Sequence, residues 1–199
     1  MSLDLEIQAL LRSPQVREIN FTMRGIRVTG AGFAELATHF SDQTIPQRIR
    51  VTVRPELVPP GDDAVYESLE DKINLRSDTV LSSPVGRSVV VHECTHAQLD
   101  FRGRTTSVRS EEGAGFIAET WYLLASGMTD AETGLINGSD IRNIAANLRS
   151  QAQNTGGIVE VSAEQINTVR RVMASFGYAM SRGRPYVQSG IGGHIYRGE

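Results

Sequence analysis

The chain has 199 residues, enough to bury a continuous core without help from a metal or a disulfide, and its single cysteine, Cys94, excludes an intramolecular disulfide. A formal net charge of −3 lacks the basic excess of nucleic-acid-binding proteins, so we expect no nucleic-acid partner. No apolar run approaches the roughly 20 residues that span a bilayer, and the start of the chain is unlike a signal peptide. These features predict a cytoplasmic protein without a membrane span, with export by a non-classical route still open.

The first half of the chain mixes short helices and strands. Apolar residues between Leu3 and Leu11 predict a helix that ends near Ser13-Pro14, because the residue before a proline avoids helical backbone angles. The elements expected after it are a strand at 26–29, a helix at 33–40, and strands at 49–54 and 72–76. We expect the last two strands to pair within one small, mostly antiparallel sheet.

The second half is predicted to be helical. Ser83 followed by Pro84 is a strong helix start, and Ser162 with Gln165 forms a capping box for another helix. The four helices that we expect lie at 83–100, 110–127, 139–151 and 162–177. Strands followed by helices predict an α+β fold in a single domain.

The run His92-Glu93-Cys94-Thr95-His96 lies in the first of these four helices. Two histidines four residues apart share one helix face, so both imidazoles can reach one cation. Glu93 lies about 100° round the helix from His92, close enough to hold a water on that cation and take its proton. The expected number of such matches in the chain from composition alone is on the order of 0.005, so we interpret the motif as a zinc site. Cys94 points to the opposite side of the helix and is expected in the core.

The third metal ligand must come from another segment, because the next histidine after His96 is His194. The second predicted helix offers three carboxylates, at Glu111, Glu112 and Glu119.

A His-Glu-x-x-His helix followed by a glutamate-bearing helix resembles the gluzincin metallopeptidases, the clan of thermolysin and the zinc aminopeptidases. The segment 112–119 is similar to the Asn-Glu-Gly-Phe-Ala helix of the aminopeptidase branch, which implies Glu112 as the third ligand. Glu111 stands where that pattern has asparagine, so Glu111 and Glu119 remain alternatives. The resemblance covers residues 89–121 and implies a zincin-like fold, here assigned to one domain over 1–181 with a glycine-rich tail at 182–199.

The sequence also gives expectations for residues around the site. Glu119 lies two turns beyond Glu112, either as an acceptor for the free nitrogen of a ligating histidine or as a solvated carboxylate. Asp100, at a helix end, is expected to be exposed, and Phe116 and Trp121 are expected in the core. The oxyanion donor is left open among four residues of the C-terminal part, with Tyr178 slightly favoured over Tyr186, His194 and Tyr196.

The leading hypothesis is a small zinc peptidase that acts on a peptide or protein, with Glu93 as the general base. The substrate would lie in extended form along strand 72–76, taken as a sheet edge. One alternative is a metallopeptidase effector or toxin domain that acts on one specific protein. The other is an inactive zincin-like scaffold that binds a partner, against which the intact Glu93 argues.

Overall fold

The computed structural model describes residues 2–40, 48–103 and 106–175, and these form an α+β fold. The strands are β1 (Asn20–Met23), β2 (Ile26–Thr29), β3 (Arg50–Val53), β4 (Ala64–Glu67), β5 (Lys72–Leu75) and β6 (Val159–Glu160). The helices are α1 (Leu3–Leu11), α2 (Pro14–Arg17), α3 (Gly30–Leu36), α4 (Pro84–Phe101), α5 (Val108–Ala125), α6 (Asp130–Asn137), α7 (Ser139–Thr155) and α8 (Ala163–Ser175). None of the helices in this part of the chain combines the length and apolar composition that crossing a membrane requires.

The strands form two three-stranded sheets, where the sequence predicted one mostly antiparallel sheet. In the first sheet, β1 pairs antiparallel with β2 and parallel with β6. In the second, β5 pairs parallel with β3 and antiparallel with β4. The expected pairing of the segments at 49–54 and 72–76 is therefore confirmed, but its direction is parallel. The unpredicted strand β4 lies between them in the chain and reverses direction into β5, which leaves β3 and β5 running the same way.

The strand expected at the sheet edge is instead the central one. The order of the second sheet is β3-β5-β4, so both backbone edges of β5 are already paired. The expectation that a peptide lies along 72–76 is therefore wrong, because no backbone group of β5 is left for a further strand. The outer strand on the α4 side is β4, which packs directly against that helix.

The helix starts predicted from capping signals are confirmed. The Ser83 hydroxyl accepts a hydrogen bond from the Gly86 N–H at 3.0 Å and opens α4. Ser162 and Gln165 form the expected reciprocal box, with N–H···O distances of 3.2 and 2.9 Å. Local side-chain chemistry therefore sets both helix starts.

Other helix bounds differ from expectation. Helix α3 begins at Gly30, before the expected residue 33, because the Thr29 hydroxyl accepts from the Gly32 N–H and caps the helix there. A short 3-10 helix, Ala37–Phe40, follows it. Helix α7 continues to Thr155, and α6 was not predicted at all. The expected end at 177 and the tail at 182–199 lie outside the described residues.

The main core lies where α4 and α5 pack against the first sheet and against each other. Trp121 of α5 is fully buried, as expected, and stacks on Phe21 of β1 with ring centroids 6.1 Å apart. Helices α4 and α5 carry the predicted metal ligands. Packing against each other and against the first sheet fixes their positions, and α7 and α8 also pack on α5.

Gly86 allows a close approach at the start of α4, and replacing it tests this packing. A Cβ at residue 86 would lie 1.9 Å from the carbonyl oxygen of Val80, a backbone atom that cannot rotate away. We expect Gly86→Ala to lower the free energy of unfolding by about 2 kcal/mol, measured by urea denaturation. Gly134→Ala in α6 is the control. The new Cβ would lie 4.0 Å from Ser139 Cα, so this variant should raise the free energy of unfolding by about 0.5–1 kcal/mol. Equal stabilities of the two variants would contradict the close approach.

Candidate metal centre

The two histidines of α4 converge with one glutamate of α5. His92 Nε2 lies 3.4 Å from Glu112 Oε2, and His96 Nε2 lies 3.8 Å from Glu112 Oε1. One ligand atom from each of these residues lies within 4.8 Å of the other two. In a tetrahedral zinc site with bonds of about 2.1 Å, neighbouring ligand atoms are about 3.4 Å apart. The three donors are therefore spaced so that they could hold such an ion.

Each histidine also has a carboxylate on its other nitrogen. His92 Nδ1 lies 3.1 Å from Glu119 Oε2, and His96 Nδ1 lies 2.9 Å from Glu111 Oε1. An ionised carboxylate only accepts hydrogen bonds, so a neutral imidazole in this position donates from Nδ1 and keeps its lone pair on Nε2. Both lone pairs then face Glu112. Glu111 and Glu119, the alternative ligands, contact the distal nitrogens instead, and Glu119 has the acceptor position that the sequence left open.

In the metal-free protein, the histidines and carboxylates of the cluster shift one another's pKa values. Burial disfavours a proton on His92 and on His96, but the carboxylates facing each ring outweigh it and raise the pKa of both. Burial likewise disfavours the charged form of Glu112, yet the two histidines outweigh it and lower its pKa. A metal ion at this point would take the place of the proton on each Nε2, as metal sites built on histidine require.

Gly115, one turn after Glu112, provides the space for the His92 ring. A Cβ at residue 115 would lie 2.7 Å from His92 Nε2, a shorter distance than Cβ atoms show to neighbouring atoms in proteins. The close approach of α5 to the imidazole therefore requires a glycine at residue 115. Sequence reasoning did not identify this requirement.

Glu93 lies beside the cluster and is fixed by the edge strand. The backbone N–H of Tyr66 in β4 donates to Glu93 Oε2 at 2.7 Å. Burial raises the pKa of Glu93, an effect that His92 and His96 partly offset. Sequence reasoning missed the contact with Tyr66. The sequence signal for β4 is weak, because Ala64, Val65 and Tyr66 do not alternate with polar residues and only the β-favouring types of Val65 and Tyr66 indicate a strand.

The cluster opens into a cleft of about 410 Å³. On one side it is lined by the loop before β4 and by Ala64 and Val65 of the strand. Apolar side chains line other parts of it, at Val85, Val89, Phe116 and Ile136. Phe116 was expected in the core, but it is only partly buried and meets the His92 ring edge-on, with centroids 4.7 Å apart.

Two other residues singled out in the sequence lie outside the cluster. Asp100, expected to be exposed, is buried, and Asp100 Oδ2 accepts from the Tyr66 hydroxyl at 2.9 Å. Cys94 is buried as expected and is not part of the donor group that His92, His96 and Glu112 form among the described residues. Burial raises the pKa of its thiol. The four candidate oxyanion donors, Tyr178, Tyr186, His194 and Tyr196, fall outside the described residues.

Comparisons of the chain with protein-family models, with curated proteins and with solved structures give no significant match. The resemblance to gluzincins therefore rests on the motif and on the geometry of the His92, His96 and Glu112 cluster.

Gly115→Ala tests whether the space beside His92 is needed for metal binding. The added methyl group would displace the imidazole, so we expect zinc affinity to fall by about tenfold or more, measured by competition with a chromophoric chelator. Gly113→Ala is the matched control, because its Cβ would meet Val169 of α8 at 2.2 Å and not the His92 ring. It should lower stability and leave zinc affinity within about twofold of the parent. Equal zinc affinities for the two variants would show that Gly115 has no part in the site.

The contact between Glu119 and His92 gives a second prediction. Glu119→Ala removes the acceptor for the Nδ1 proton and should weaken zinc binding by roughly 10–100-fold in the same competition assay. Glu119→Gln keeps an oxygen at this position, and we expect it to retain most of the affinity. If Glu119→Ala binds zinc as tightly as the parent, the orienting role of this contact is refuted.

Proposed function

We propose that this protein is a zinc-dependent peptidase in which Glu93 acts as the general base. The observation that carries the proposal is the convergence of His92, His96 and Glu112 in a cleft, with the Glu93 carboxylate beside them. The first three residues would hold the ion.

The donor set suits zinc. Two imidazole nitrogens and one carboxylate oxygen form a three-ligand set typical of catalytic zinc, with further positions left for water or substrate. Carboxylates behind both rings and the space left by Gly115 also fit an ion at the convergence point. A zinc ion bound there would lower the pKa of a coordinated water to about 7 and polarise a substrate carbonyl.

Glu93 is suited to accept a proton. Its Oε2 atom is held by the Tyr66 N–H, while Oε1 accepts no hydrogen bond from the described part of the chain. The raised pKa that burial gives Glu93 makes it a stronger base than an exposed carboxylate. A carboxylate held at one oxygen and open at the other can take a proton from the attacking water and pass it to the leaving amine.

The edge strand β4 favours an extended peptide as the substrate. In an antiparallel pair, alternate residues point both backbone groups to the same side. The Tyr66 N–H points away from β5, so the N–H and C=O of Ala64 also point outward, where they can pair with a peptide backbone. Strand β4 thus replaces β5 in this role.

The shape of the cleft agrees with this choice. It follows one face of α4 from Val85 to His96, about 16 Å at the helical rise of 1.5 Å per residue. That length accommodates about five residues of an extended chain. Val85, Val89 and Phe116 provide an apolar wall for a substrate side chain next to the metal centre.

Glu93→Gln tests the mechanism. Zinc content would be measured by mass spectrometry, and hydrolysis would be measured on denatured casein and on a mixture of quenched fluorescent peptides. We expect the parent to bind one zinc per chain and to cleave. Glu93→Gln should also bind one zinc, but its turnover should fall at least about a hundredfold, because general base catalysis is lost. Glu164→Gln, an exposed position on α8, is the control and should match the parent in both measurements.

Two outcomes would contradict the proposal in different ways. Cleavage by Glu93→Gln at the parental rate would reject Glu93 as the base. A parent that binds zinc and cleaves no substrate of either kind would reject the peptidase and favour the binding scaffold.

A further inference from the structure

One residue of the edge strand contacts α4 at two separate points. The backbone N–H of Tyr66 donates to Glu93 Oε2 at 2.7 Å, and its hydroxyl lies 2.9 Å from Asp100 Oδ2. The Tyr66 side chain and Asp100 are both buried. The general base and the strand that lines the cleft are therefore connected through Tyr66.

The two contact points lie on the same face of the helix. Asp100 follows Glu93 by two turns of α4, a separation of about 10.5 Å along the axis. A single contact would let β4 pivot about one point on the helix. Two contacts so far apart fix both the distance and the angle between β4 and α4, and with them the position of the Tyr66 N–H at the Glu93 carboxylate.

A third contact ties the same hydroxyl to the turn after β4. Asp71, in the turn that joins β4 to β5, places Oδ1 3.1 Å from the Tyr66 hydroxyl oxygen. A hydroxyl carries one proton, so it can donate to only one of the two carboxyl groups. Asp71 and Asp100 therefore share the Tyr66 hydroxyl proton between them, and burial raises the pKa of Asp71.

Polar contacts of this kind stabilise a core less efficiently than apolar packing does. Burying two carboxyl groups and a hydroxyl removes them from water, and apolar side chains of similar volume would fill the same space without that cost. The polar contacts do provide direction, because each hydrogen bond specifies an atom and an angle, whereas apolar packing does not.

We propose that Tyr66 is a positioning residue, which holds β4 on α4 so that the Glu93 carboxylate stays in the geometry needed for proton transfer. The proposal rests on the proposed peptidase function for its effect on turnover. Tyr66 acts through Glu93 and Asp100, and contacts none of the candidate ligands His92, His96 and Glu112 in the hydrogen bonds of the described residues.

Tyr66→Phe in the zinc-loaded protein is the central experiment. We expect the zinc dissociation constant to stay within about twofold of the parent, because the ligands lie on α4 and α5. We expect kcat to fall about tenfold or more with little change in KM, since small misplacement of a catalytic group is costly. Hydrogen–deuterium exchange at the amide of residue 66 should become faster in this variant than in the parent, because the contact between this amide and Glu93 loosens. We expect the same difference between the metal-free forms of the two proteins.

Three further variants separate positioning from loss of stability. Ile73→Val changes the buried residue opposite Tyr66 in β5, so it should lower stability and leave kcat unchanged. Asp100→Asn keeps an oxygen acceptor for the Tyr66 hydroxyl and should retain kcat. Tyr66→Phe combined with Asp100→Asn also removes the buried negative charge that the Tyr66 hydroxyl contacted, so stability should recover while kcat stays low.

Either of two results would overturn the inference. One is recovery of kcat together with stability in the double variant, which would mean that Tyr66 is only structural. The other is unchanged exchange at residue 66 in Tyr66→Phe, which needs no catalytic activity to be observed. A parent that hydrolyses nothing would instead refute the proposed function, and the exchange measurement would still decide whether Tyr66 positions Glu93.

Discussion

The pairing of histidines on α4 with carboxylates on α5 is the constraint on which the rest of the site depends. His92 lies between Glu112 and Glu119, and His96 lies between Glu112 and Glu111. Buried carboxylates and imidazoles are costly unless they are paired, so any rotation or slide of one helix against the other would leave several groups unsatisfied. The same pairing leaves the two Nε2 atoms and Glu112 facing one point, which makes the helix pair a candidate metal centre.

The surrounding fold makes this pairing geometrically feasible. Gly115 allows α5 to approach the His92 ring, and Gly86 allows the first turn of α4 to lie against the Val80 carbonyl. Strand β4 closes the other side of the cleft, where the Tyr66 N–H holds Glu93. The candidate metal ligands and the candidate base are thus placed by different parts of the structure: the first by helix packing, and the second by contact between a helix and a sheet edge.

Much of the helical half could be predicted because its signals are local. Ser83 with Pro84, and Ser162 with Gln165, set helix starts through atoms only a few residues apart in the chain. Strand β4 was missed because its first three residues are all apolar and lack the apolar–polar alternation that indicated the strands at 49–54 and 72–76. Its pairing with β5 is a tertiary fact. Tyr66 of that strand also contacts Asp100, which is buried although its position near a helix end predicted exposure.

The sequence by itself determined the set of candidate donors at the site. The spacing of His92 and His96 puts both on one face of a helix whatever the rest of the chain does, because the helical period alone decides it. Only the tertiary structure decided which of Glu111, Glu112 and Glu119 faces both Nε2 atoms, since that depends on the rotation of α5 against α4. It also decided that β4, and not β5, is the strand beside the cleft. The physical reason is the same in both cases: these relations join atoms that are distant in the chain, and packing, not local backbone preference, brings them together.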